Sequence, residues 1–346
     1  MTDATHIREA SARLVEGESL SEDAAAACMD ELMTGTATPA QFGAFVTALR
    51  MKGETVDEIA GMARVMREKS SRIDIAGPLL DTCGTGGDAS GSFNVSTCAA
   101  FVAAGAGARV AKHGNRAMTS KSGSADVLEA LGARLDLSPQ QVGDCIQQAG
   151  IGFMFAQAFH PAMKHVGPSR REIGIRTVFN LLGPLTNPAG ATRQVIGVPR
   201  ADLVETVASV LQRLGSERAL VVNGDDGFDE VSIAGPSTIA ELTPDGIRTM
   251  RVTPADAGLP THDIASLRGG TAEQNAAELR LVLEGVPGAL RDFTLINAAA
   301  ALIAWGTAAD LREGAALAAE SIDSGAALAK LDAFIAATQA APQAAS

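Results

Sequence analysis

A glycine-rich turn is the first stretch of the chain with residues suited to chemistry. Residues 81–88 read DTCGTGGD, follow an apolar run at 75–80 and precede a predicted helix that begins near Val95. Glycines allow several backbone N–H groups to point into one concavity, and the start of a helix adds positive partial charge. The turn is therefore a candidate phosphate cradle, with a purely structural tight turn as the alternative.

The same turn also fits the GxGxxA pattern of dinucleotide-binding folds, at residues 84–89. Such folds place an acidic residue near the end of the second strand, where it binds a ribose hydroxyl. Here the second predicted strand leads into Lys112 and His113. The sequence therefore disfavours a nicotinamide cofactor.

Two polar segments follow the turn. Residues 94–97 read NVST at the start of the predicted helix, where they could either cap the helix or face a ligand. Residues 112–124 read KHGNRAMTSKSGS and combine three cations with four hydroxyls in an acidic protein. Ammonium groups neutralise a phosphate ester while hydroxyls and amides orient its ribose. A solvated basic loop is the alternative for the second segment.

An acidic loop follows a predicted buried strand at 219–222. It carries Asp225, Asp226, Asp229 and Glu230, at the carboxyl end of a strand where α/β proteins bind ligands. Carboxylates are hard oxygen ligands that suit Mg²⁺, which fills the rest of its coordination sphere with water and substrate phosphate. A hydrated acidic turn is the alternative for this loop taken alone.

The stretch 153–188 is again cationic, with His160, His165 and Arg170 among its residues. It could bind an anionic second substrate. For His160 and His165 individually, packing or capping is favoured over chemistry, because nothing places a Ser or Cys nucleophile beside them. The sequence predicts no hydrolase triad.

Composition limits the class of protein. The 346 residues include 28 basic and 40 acidic side chains, a net charge of −12 that argues against general polyanion or nucleic-acid binding. Aromatic residues make up 3% of the chain, too few for a base-stacking platform. The four cysteines are far apart without metal-type spacing, and no signal sequence or membrane span is predicted. We therefore expect an enzyme of the reducing cytoplasm that binds neither nucleic acid nor membrane.

The elements that must position these residues divide into two kinds. The first seventy residues predict four helices, with capping boxes at 38–41 and 55–58. From Ile73 onward, short apolar runs, glycine turns and helices alternate, which predicts an α/β domain. Further helices are expected at 204–214, 273–283 and 294–304, a strand at 109–111, and a loose tail over 339–346.

Taken together, the motifs resemble those of the anthranilate phosphoribosyltransferase family over nearly the whole chain. They are GTGGD at 84–88, NVST at 94–97, KHGNRAMTSKSGSADVLEALG at 112–132, RREIGIRT at 170–177, NLLGPLTNPA at 180–189 and DGFDE at 226–230. The resemblance implies an α/β fold in which a small all-helical domain is hinged to a larger α/β domain with a central mixed sheet covered by helices. The helical domain would comprise 1–74 plus about 166–190 and form a homodimer interface; the larger domain would comprise 75–165 and 191–338.

The resemblance also implies a reaction. In this family the amine of anthranilate displaces diphosphate from C1 of 5-phosphoribosyl 1-diphosphate (PRPP), with two Mg²⁺ ions per site, in the second step of tryptophan synthesis from chorismate. The implied Mg²⁺ ligands are Ser96, Asp229 and Glu230, and the implied anthranilate contacts are Gly84, Asn115 and Arg170, with His113 and His160 along the access path. The implied PRPP contacts are Gly84, Gly87, Asp88, Ser92, Asn94, Val95, Ser96, Thr97, Lys112, His113, Gly114, Asn115, Arg116, Ala117, Met118, Thr119, Ser120 and Ser124.

The chain departs from the family pattern mostly around the acceptor. Gln157 stands where proline is expected, and Gly167 and Ser169 flank Pro168 in place of the more usual alanine and valine. Asn223 replaces a histidine and Phe228 a leucine near the acidic loop. We expect Gln157 to matter most, because a flexible polar side chain in place of a rigid ring could reshape the anthranilate channel.

Two other functions are compatible with parts of the pattern. One is a pyrimidine-nucleoside phosphorylase-like enzyme, which shares the expected architecture but would use free phosphate and would not need the Asp229 and Glu230 pair for a metal. The other is a non-enzymatic, nucleic-acid-binding relative, which the net charge opposes.

Overall fold

The computed structural model describes residues 4–86, 91–117 and 121–342. The chain begins with the four predicted helices, α1 Thr5–Val15, α2 Glu22–Met33, α3 Pro39–Lys52 and α4 Val56–Glu68. Both predicted capping boxes are present. The side-chain oxygen of Thr38 accepts from Gln41 N, and the backbone N–H of Thr38 donates to the Gln41 side chain. Thr55 and Glu58 form the same pair of hydrogen bonds. The helical N-terminal part of the fold is confirmed.

A buried carboxylate holds these helices together. Glu58 is fully buried on α4, and its Oε1 accepts from Leu20 N at 2.9 Å while its Oε2 lies 3.0 Å from Lys52 Nζ. Gly61 on the same helix lets the α2 backbone approach, since a Cβ there would collide with the carbonyl of Glu22. The bundle is thus fixed by one satisfied charge and one close backbone contact.

A seven-stranded mixed sheet lies at the centre of the rest of the chain. The first five strands are parallel and the last two are antiparallel, in the order β3-β2-β1-β4-β5-β6-β7. The parallel strands are almost wholly buried, as expected where helices cover both faces. The strands are β1 Leu80–Gly84, β2 Val110–Gly114, β3 Ile151–Phe155, β4 Arg193–Gly197, β5 Arg218–Gly224, β6 Ser237–Thr243 and β7 Gly246–Val252.

Helices fill the connections between the five parallel strands, and further helices follow β7. The longer ones are α5 Val95–Gly105, α6 Ser124–Ala130, α7 Pro139–Ala149, α11 Leu203–Arg213, α12 Ala272–Leu283, α13 Ala289–Trp305, α14 Leu311–Asp323 and α15 Ala326–Ala340. Short helices follow β3: α8 Ala156–Phe159, a 3₁₀ turn Pro161–His165, α9 Gly167–Ile173 and α10 Phe179–Leu182. None of the described helices is long and apolar enough to span a membrane.

Buried residues of α10 and of the turns around it share one apolar core with the N-terminal helices. That core includes Val166, Phe179 and Leu182, and it continues into α11 and one face of β4 to β6. A second core lies on the opposite face around α5 and α13. The N-terminal helices, residues 166–185 and part of the sheet thus share one core. Because this core does not stop at the domain boundaries expected from the sequence, those boundaries stay a proposal.

Several predicted element boundaries were wrong. Helix α13 begins at Ala289, five residues before the predicted start, because the polar residues Arg291 and Asp292 in its first turn obscure the apolar period. Strand β2 extends to Gly114 rather than ending at Ala111. Helix α15 continues to Ala340, and Gln339 Nε2 donates to Gly132 O at 2.7 Å, so the tail does not begin at 339. Residues 343–346 of that tail lie outside the described residues.

The chain order creates a switch point in the sheet. Strands β2 and β3 extend the sheet on one side of β1, and the chain then returns to place β4 on the other side. At such a point the connections at the carboxyl ends run in opposite directions and leave a crevice, which is where open α/β sheets bind ligands. The ends of β1 and β4, Gly84 and Gly197, are register partners at this point.

Candidate active site at the switch point of the sheet

Asp229 covers the two glycines at the switch point. A Cβ at Gly84 would collide with the Asp229 carboxylate, and a Cβ at Gly197 would collide with its backbone carbonyl. Gly86 N donates to Asp229 Oδ2 at 3.1 Å, which ties the acidic loop to the glycine-rich turn across 143 positions of sequence. The two motifs therefore form one site, and both glycines are required by close approach.

Glu230 belongs to a second group of polar side chains, with Ser96 and Lys112. Glu230 and Ser96 line one small cavity beneath the site. Lys112 Nζ lies 3.4 Å from Ser96 Oγ and also donates to the carbonyl of Thr82. Lys112 is only 3% exposed, so the solvated-loop interpretation is wrong for this residue. A cation, a hydroxyl and a carboxylate thus meet at the end of β1 and the start of α5.

Asp81 is a buried part of this group to which sequence reasoning gave no role. It accepts from His113 N at 3.0 Å and from Asn187 Nδ2 at 2.7 Å, and it lies fully buried on β1. Burial raises the pKa of Asp81, opposed by the charge of Lys112, and burial lowers the pKa of Lys112, opposed by Asp81. Asp81 and Lys112 are thus two buried groups of opposite charge on neighbouring strands. The sequence did not point to Asp81, because a lone Asp in a strand carries no spacing signal.

The structure separates the four carboxylates of the acidic loop. Asp225 forms an exposed ion pair with Arg251, whose Nη1 donates to Asp225 Oδ1 at 2.7 Å. Asp226 closes its own turn by accepting from Phe228 N at 3.1 Å and from the hydroxyl of Ser232. Within the described part of the turn, residues 81–86, and the cavity beneath it, only Asp229 and Glu230 of the four make contacts. The hydrated-turn interpretation thus fits the first two carboxylates and not the second two.

The segment 91–97 is held in place by residues from three other parts of the chain. Ser92 forms a bridge with Arg268, and Asn94 donates to Ser122 O at 3.2 Å while accepting from Asn275 Nδ2 at 2.7 Å. Asn94 does not cap α5, so the capping alternative is wrong for it. Val95 and Thr97 are fully buried, so neither side chain is exposed to a ligand.

The loop after β2 combines a tight backbone approach with ion pairs. A Cβ at Gly114 would lie 2.7 Å from the Phe153 ring, and Ser124 Oγ donates to Asn115 O at 3.3 Å. Arg116 is bound to carboxylates, with Nη2 donating to Glu129 Oε1 at 2.7 Å, and Ala117 N donates to Asp126 Oδ2 at 3.0 Å. A phosphate that contacted Arg116 would have to share it with these carboxylates.

His113 and His160 form a neutral pair beside this group. Their ring centroids are 5.1 Å apart, and His113 Nδ1 lies 3.2 Å from the carbonyl oxygen of Gly183. Burial, followed by the neighbouring His160, lowers the pKa of His113 to about 3, and burial lowers the pKa of His160 to about 4. Among the described residues, neither Nε2 atom has a hydrogen-bond partner. Both rings therefore offer a neutral, unsatisfied nitrogen near pH 7.

Arg170 lies on α9, in the segment that follows His160. Its guanidinium stacks on Phe179 at 5.2 Å from the ring centroid, and burial lowers its pKa. Phe179 lies four residues before Gly183, which contacts His113, so one short segment connects Arg170 to the histidines. His165 lies apart, with Gly35 making room for its ring.

The residues that depart from the family pattern lie in different parts of the structure. Asn223 is buried and donates to Val198 O at 2.8 Å. The rings of Phe228 and Phe293 pack with their centroids 5.9 Å apart. Both Asn223 and Phe228 therefore serve packing. Gln157 is exposed on α8, and Ser169 is buried on α9 one residue before Arg170. The expected contacts Gly87, Asp88, Met118, Thr119 and Ser120 lie outside the described residues.

The donor set fits Mg²⁺. Ser96, Asp229 and Glu230 supply only hard oxygens, and Asp229 is held by the backbone N–H of Gly86. Across the described ranges, no cluster of three or more His, Cys, Asp or Glu side chains could enclose a metal. Mg²⁺ commonly binds through one or two carboxylates and completes its shell with water and substrate phosphate, so this sparse set is suitable.

The fold and this site define a glycosyl transferase. A family model described as the glycosyl transferase family a/b domain matches residues 76–328, and one described as its helical bundle domain matches residues 8–70. The chain is 58% identical over 325 residues to the anthranilate phosphoribosyltransferase of Moorella thermoacetica, covering 94% of this chain and 96% of that one. It is 56% identical over 329 residues to that of Rhodopseudomonas palustris BisB5, covering 95% and 97%.

Solved structures that resemble this fold are also anthranilate phosphoribosyltransferases. The anthranilate phosphoribosyltransferase of Thermus thermophilus superposes with a TM-score of 0.91 at 45% identity, over 96% of this chain and 99% of that chain. The Saccharomyces cerevisiae enzyme in complex with PRPP and Mg superposes with a TM-score of 0.88 at 29% identity, over 97% and 99%. The chain belongs to the anthranilate phosphoribosyltransferase family, and its fold is the helical-plus-α/β fold expected from the sequence.

Proposed function

We infer that this protein transfers the 5-phosphoribosyl group from PRPP to the amine of anthranilate, giving N-(5-phosphoribosyl)anthranilate and diphosphate. The observation that carries the inference is the meeting of Asp229, Gly84 and Gly197 at the switch point, beside Lys112 and Ser96. The relatives named for this reaction favour it over the phosphorylase and nucleic-acid-binding alternatives.

The reaction forms one bond and breaks one. The amine nitrogen of anthranilate attacks C1 of the ribose, the C1–oxygen bond to diphosphate breaks, and one amine proton is lost to solvent or diphosphate. An aromatic amine is neutral near pH 7 and can attack directly once it is in line with the leaving group. The chain therefore needs no covalent nucleophile.

We propose that the residues around Lys112 receive the diphosphate end of PRPP. Lys112 lies buried beside Ser96, where water is excluded and a positive charge acts strongly on a departing anion. Ser96, Asp229 and Glu230 would hold two Mg²⁺ ions; the Saccharomyces cerevisiae enzyme is described in complex with PRPP and Mg, which supports Mg²⁺ use here. Bound Mg²⁺ neutralises charge on the phosphate oxygens.

We propose that His113, His160 and Arg170 receive anthranilate, together with Asn115 and Gly84. A guanidinium is suited to the carboxylate of anthranilate, and Arg170 is half-buried and oriented by Phe179. The neutral histidines place no positive charge near the amine. The Saccharomyces cerevisiae enzyme in complex with 4-fluoroanthranilate supports an acceptor of this shape.

Three further properties belong to the same proposal. The helical part, residues 1–74 with about 166–190, would form a homodimer, as the resemblance implies. Residues 75–165 and 191–338 would bind PRPP and Mg²⁺. A cytoplasmic location is supported by Cys28, Cys83, Cys98 and Cys145, all of which are free thiols.

The experiment that tests the function is a continuous fluorescence assay of anthranilate consumption with purified protein, PRPP and Mg²⁺. We expect loss of anthranilate signal that stops when EDTA is added and resumes with excess Mg²⁺. No turnover under conditions where calorimetry detects PRPP binding would mean that the acceptor is another molecule. No turnover and no PRPP binding would overturn the proposal.

The metal assignment is tested by Asp229→Asn. Removing one carboxylate charge should raise the Mg²⁺ concentration needed for half-maximal rate at least about tenfold, because even outer-shell partners commonly change metal affinity that much. An unchanged Mg²⁺ requirement with an altered KM for anthranilate would place Asp229 on the acceptor side instead.

A further inference from the structure

A buried amide on α13 contacts the residue that follows Glu230. Asn297 is 3% exposed, its Oδ1 accepts from Val231 N at 3.0 Å, and its Nδ2 donates to Val231 O at 3.0 Å. One side chain thus satisfies both polar backbone groups of Val231. This paired contact fixes the direction in which the chain leaves Glu230.

The rotamer of Asn297 is itself fixed. Nδ2 makes a second hydrogen bond, to Phe293 O one turn earlier at 2.9 Å. The oxygen and both amide hydrogens are therefore used, which also fixes the orientation of the amide. A side chain bound at both ends can hold a neighbouring loop without losing further rotamer freedom.

The opposite end of the acidic loop is held independently. Gly224 N donates to Phe228 O at 2.9 Å, and Phe228 N donates to Asp226. Asp229 and Glu230 are therefore the only two residues between a fixed Phe228 and a fixed Val231. Two residues between such anchors have little conformational freedom.

The composition of α13 argues that Asn297 is not there for packing. Residues 293–304 are buried throughout, and Thr294 and Asn297 are their only polar members. Thr294 is satisfied within its own helix by donating to Leu290 O at 2.8 Å, whereas Asn297 reaches out to the loop. Burying an amide costs free energy unless it is hydrogen-bonded, so an apolar residue would suit packing alone better.

Asn297 also reaches the site from the core side. It lines the same small cavity as Ser96 and Glu230. Mg²⁺ demands near-ideal octahedral geometry at short distances, so a loop that supplies its ligands must be placed accurately.

We propose that Asn297 is a positioning residue that holds Glu230, and through it Asp229, in the geometry that binds Mg²⁺ with PRPP. The assignment rests on the proposed function, because it gives these carboxylates their metal. It adds a residue that touches neither substrate nor metal and acts through the Val231 backbone.

The test compares Asn297→Leu with Thr294→Val. Both substitutions remove a buried polar group from α13 at nearly constant volume, and only the first loses contact with the acidic loop. We would measure Mn²⁺ binding in the presence of PRPP by electron paramagnetic resonance, hydrogen exchange at the Val231 amide, the KM for anthranilate and the thermal midpoint.

Asn297→Leu should weaken Mn²⁺ binding about 10- to 100-fold, the range found for residues that orient metal ligands, and should remove protection of the Val231 amide. The KM for anthranilate should change by less than about threefold. Thr294→Val should leave Mn²⁺ binding and Val231 protection as in the wild type. If Asn297→Leu does not fold, Asn297→Ser, which is too short to bind both backbone groups of Val231, should show the same effects.

Two results would overturn the proposal in distinguishable ways. Wild-type Mn²⁺ affinity in a folded Asn297→Leu protein would make Asn297 merely structural, while the metal role of Glu230 would stand. Failure of the wild type to bind Mn²⁺ with PRPP would remove the metal role of Asp229 and Glu230, and with it the reason to position them.

Discussion

The two sides of the site treat charge in opposite ways. The proposed diphosphate side, Ser96, Lys112, Asp229 and Glu230, contains one cation and two carboxylates, and the carboxylate of Asp81 is buried nearby. The proposed acceptor side has His113, His160 and one guanidinium, Arg170. This contrast fits a reaction in which negative charge develops on a departing diphosphate while the attacking amine must stay unprotonated.

The two sides also differ in what supports them. The proposed diphosphate side lies on β1, β2, the first turn of α5 and the acidic loop that follows β5. The acceptor side lies mostly on the short helices and turns between β3 and β4. Strand ends within one sheet fix distances closely, whereas successive short turns allow variation. Departures from the family pattern at Gln157, Gly167 and Ser169 fall on the second kind of support.

The largest effect is expected at Gly197, where a side chain would collide with the acidic loop. Gly197→Ala places a methyl group against the backbone of Asp229 and must displace the acidic loop. We expect kcat to fall about 10²- to 10³-fold, the loss typical of removing one preorganised electrostatic group. Gly235→Ala is the matched control, because a Cβ there meets nothing within 4 Å. A Gly197→Ala enzyme within about tenfold of wild type would contradict this geometry.

Arg170→Ala should affect the acceptor side alone. Loss of the guanidinium should raise the KM for anthranilate about 10- to 100-fold, the range expected for hydrogen bonds to a charged group. The KM for PRPP should stay within about threefold. Steady-state kinetics with each substrate varied in turn measures both, and Arg171→Ala, an exposed neighbour, is the control. Equal losses for the two substrates would contradict the separation of the two sides.

The neutrality of the histidine pair should appear in the pH dependence of stability. The folded pKa values of His113 and His160, about 3 and about 4, lie below the value of about 6.5 expected in the unfolded chain. Between about pH 6.5 and 4 the unfolded state therefore binds protons that the folded state does not. Stability should fall with decreasing pH in this window, by up to about 1.4 kcal/mol per pH unit for each histidine, and this contribution should be constant above it.

Urea unfolding of wild type and His113→Asn at about pH 7, 6 and 5 measures this contribution. The variant should show a smaller loss of unfolding free energy on acidification. Lys112 and His160 both oppose protonation of His113 and remain in the variant. Replacement of the exposed His6 by Asn controls for the substitution itself. Parallel curves for wild type and His113→Asn would show that His113 is not kept neutral.

The smallest effect is expected at the first carboxylate of the acidic loop. Asp225 is paired with Arg251 on the surface, so Asp225→Asn should change the Mg²⁺ requirement by no more than about twofold. The same Mg²⁺ titration as for Asp229→Asn measures it. Similar shifts for the two variants would erase the distinction between the structural and the ligand-facing carboxylates.

The sequence could predict elements whose signals are local. The capping boxes at Thr38 and Thr55 define α3 and α4 because the bonds join residues three apart. The helical N-terminal part, the α/β remainder and the mixed sheet were also expected correctly, the last through the family resemblance. The bounds of α13 and β2 were missed, since polar residues in a first turn and a lysine inside a buried strand hide their period.

The motifs could be found in the sequence, but the sequence could not show which of their side chains face the site. Glycine-rich turn, basic loop and acidic loop are each visible from residue types. Which of the four acidic side chains face the site depends on Arg251 and Ser232, which lie outside the motif. The supporting residues Asp81 and Asn297 were missed because a lone Asp in a strand and a lone Asn in an apolar helix carry no spacing signal.

The sequence by itself thus determined the chemistry that is available: phosphate-binding backbone, hard oxygen ligands and a local excess of cations in an acidic chain. It determined these because they depend on residue type and on bonds between near neighbours. Only the tertiary structure decided that Asp229 meets Gly84, that Lys112 and Asp81 are buried on neighbouring strands, and that burial lowers the pKa of His113 and His160. Those properties depend on strand order and burial, which bring together residues far apart in the chain and remove them from water.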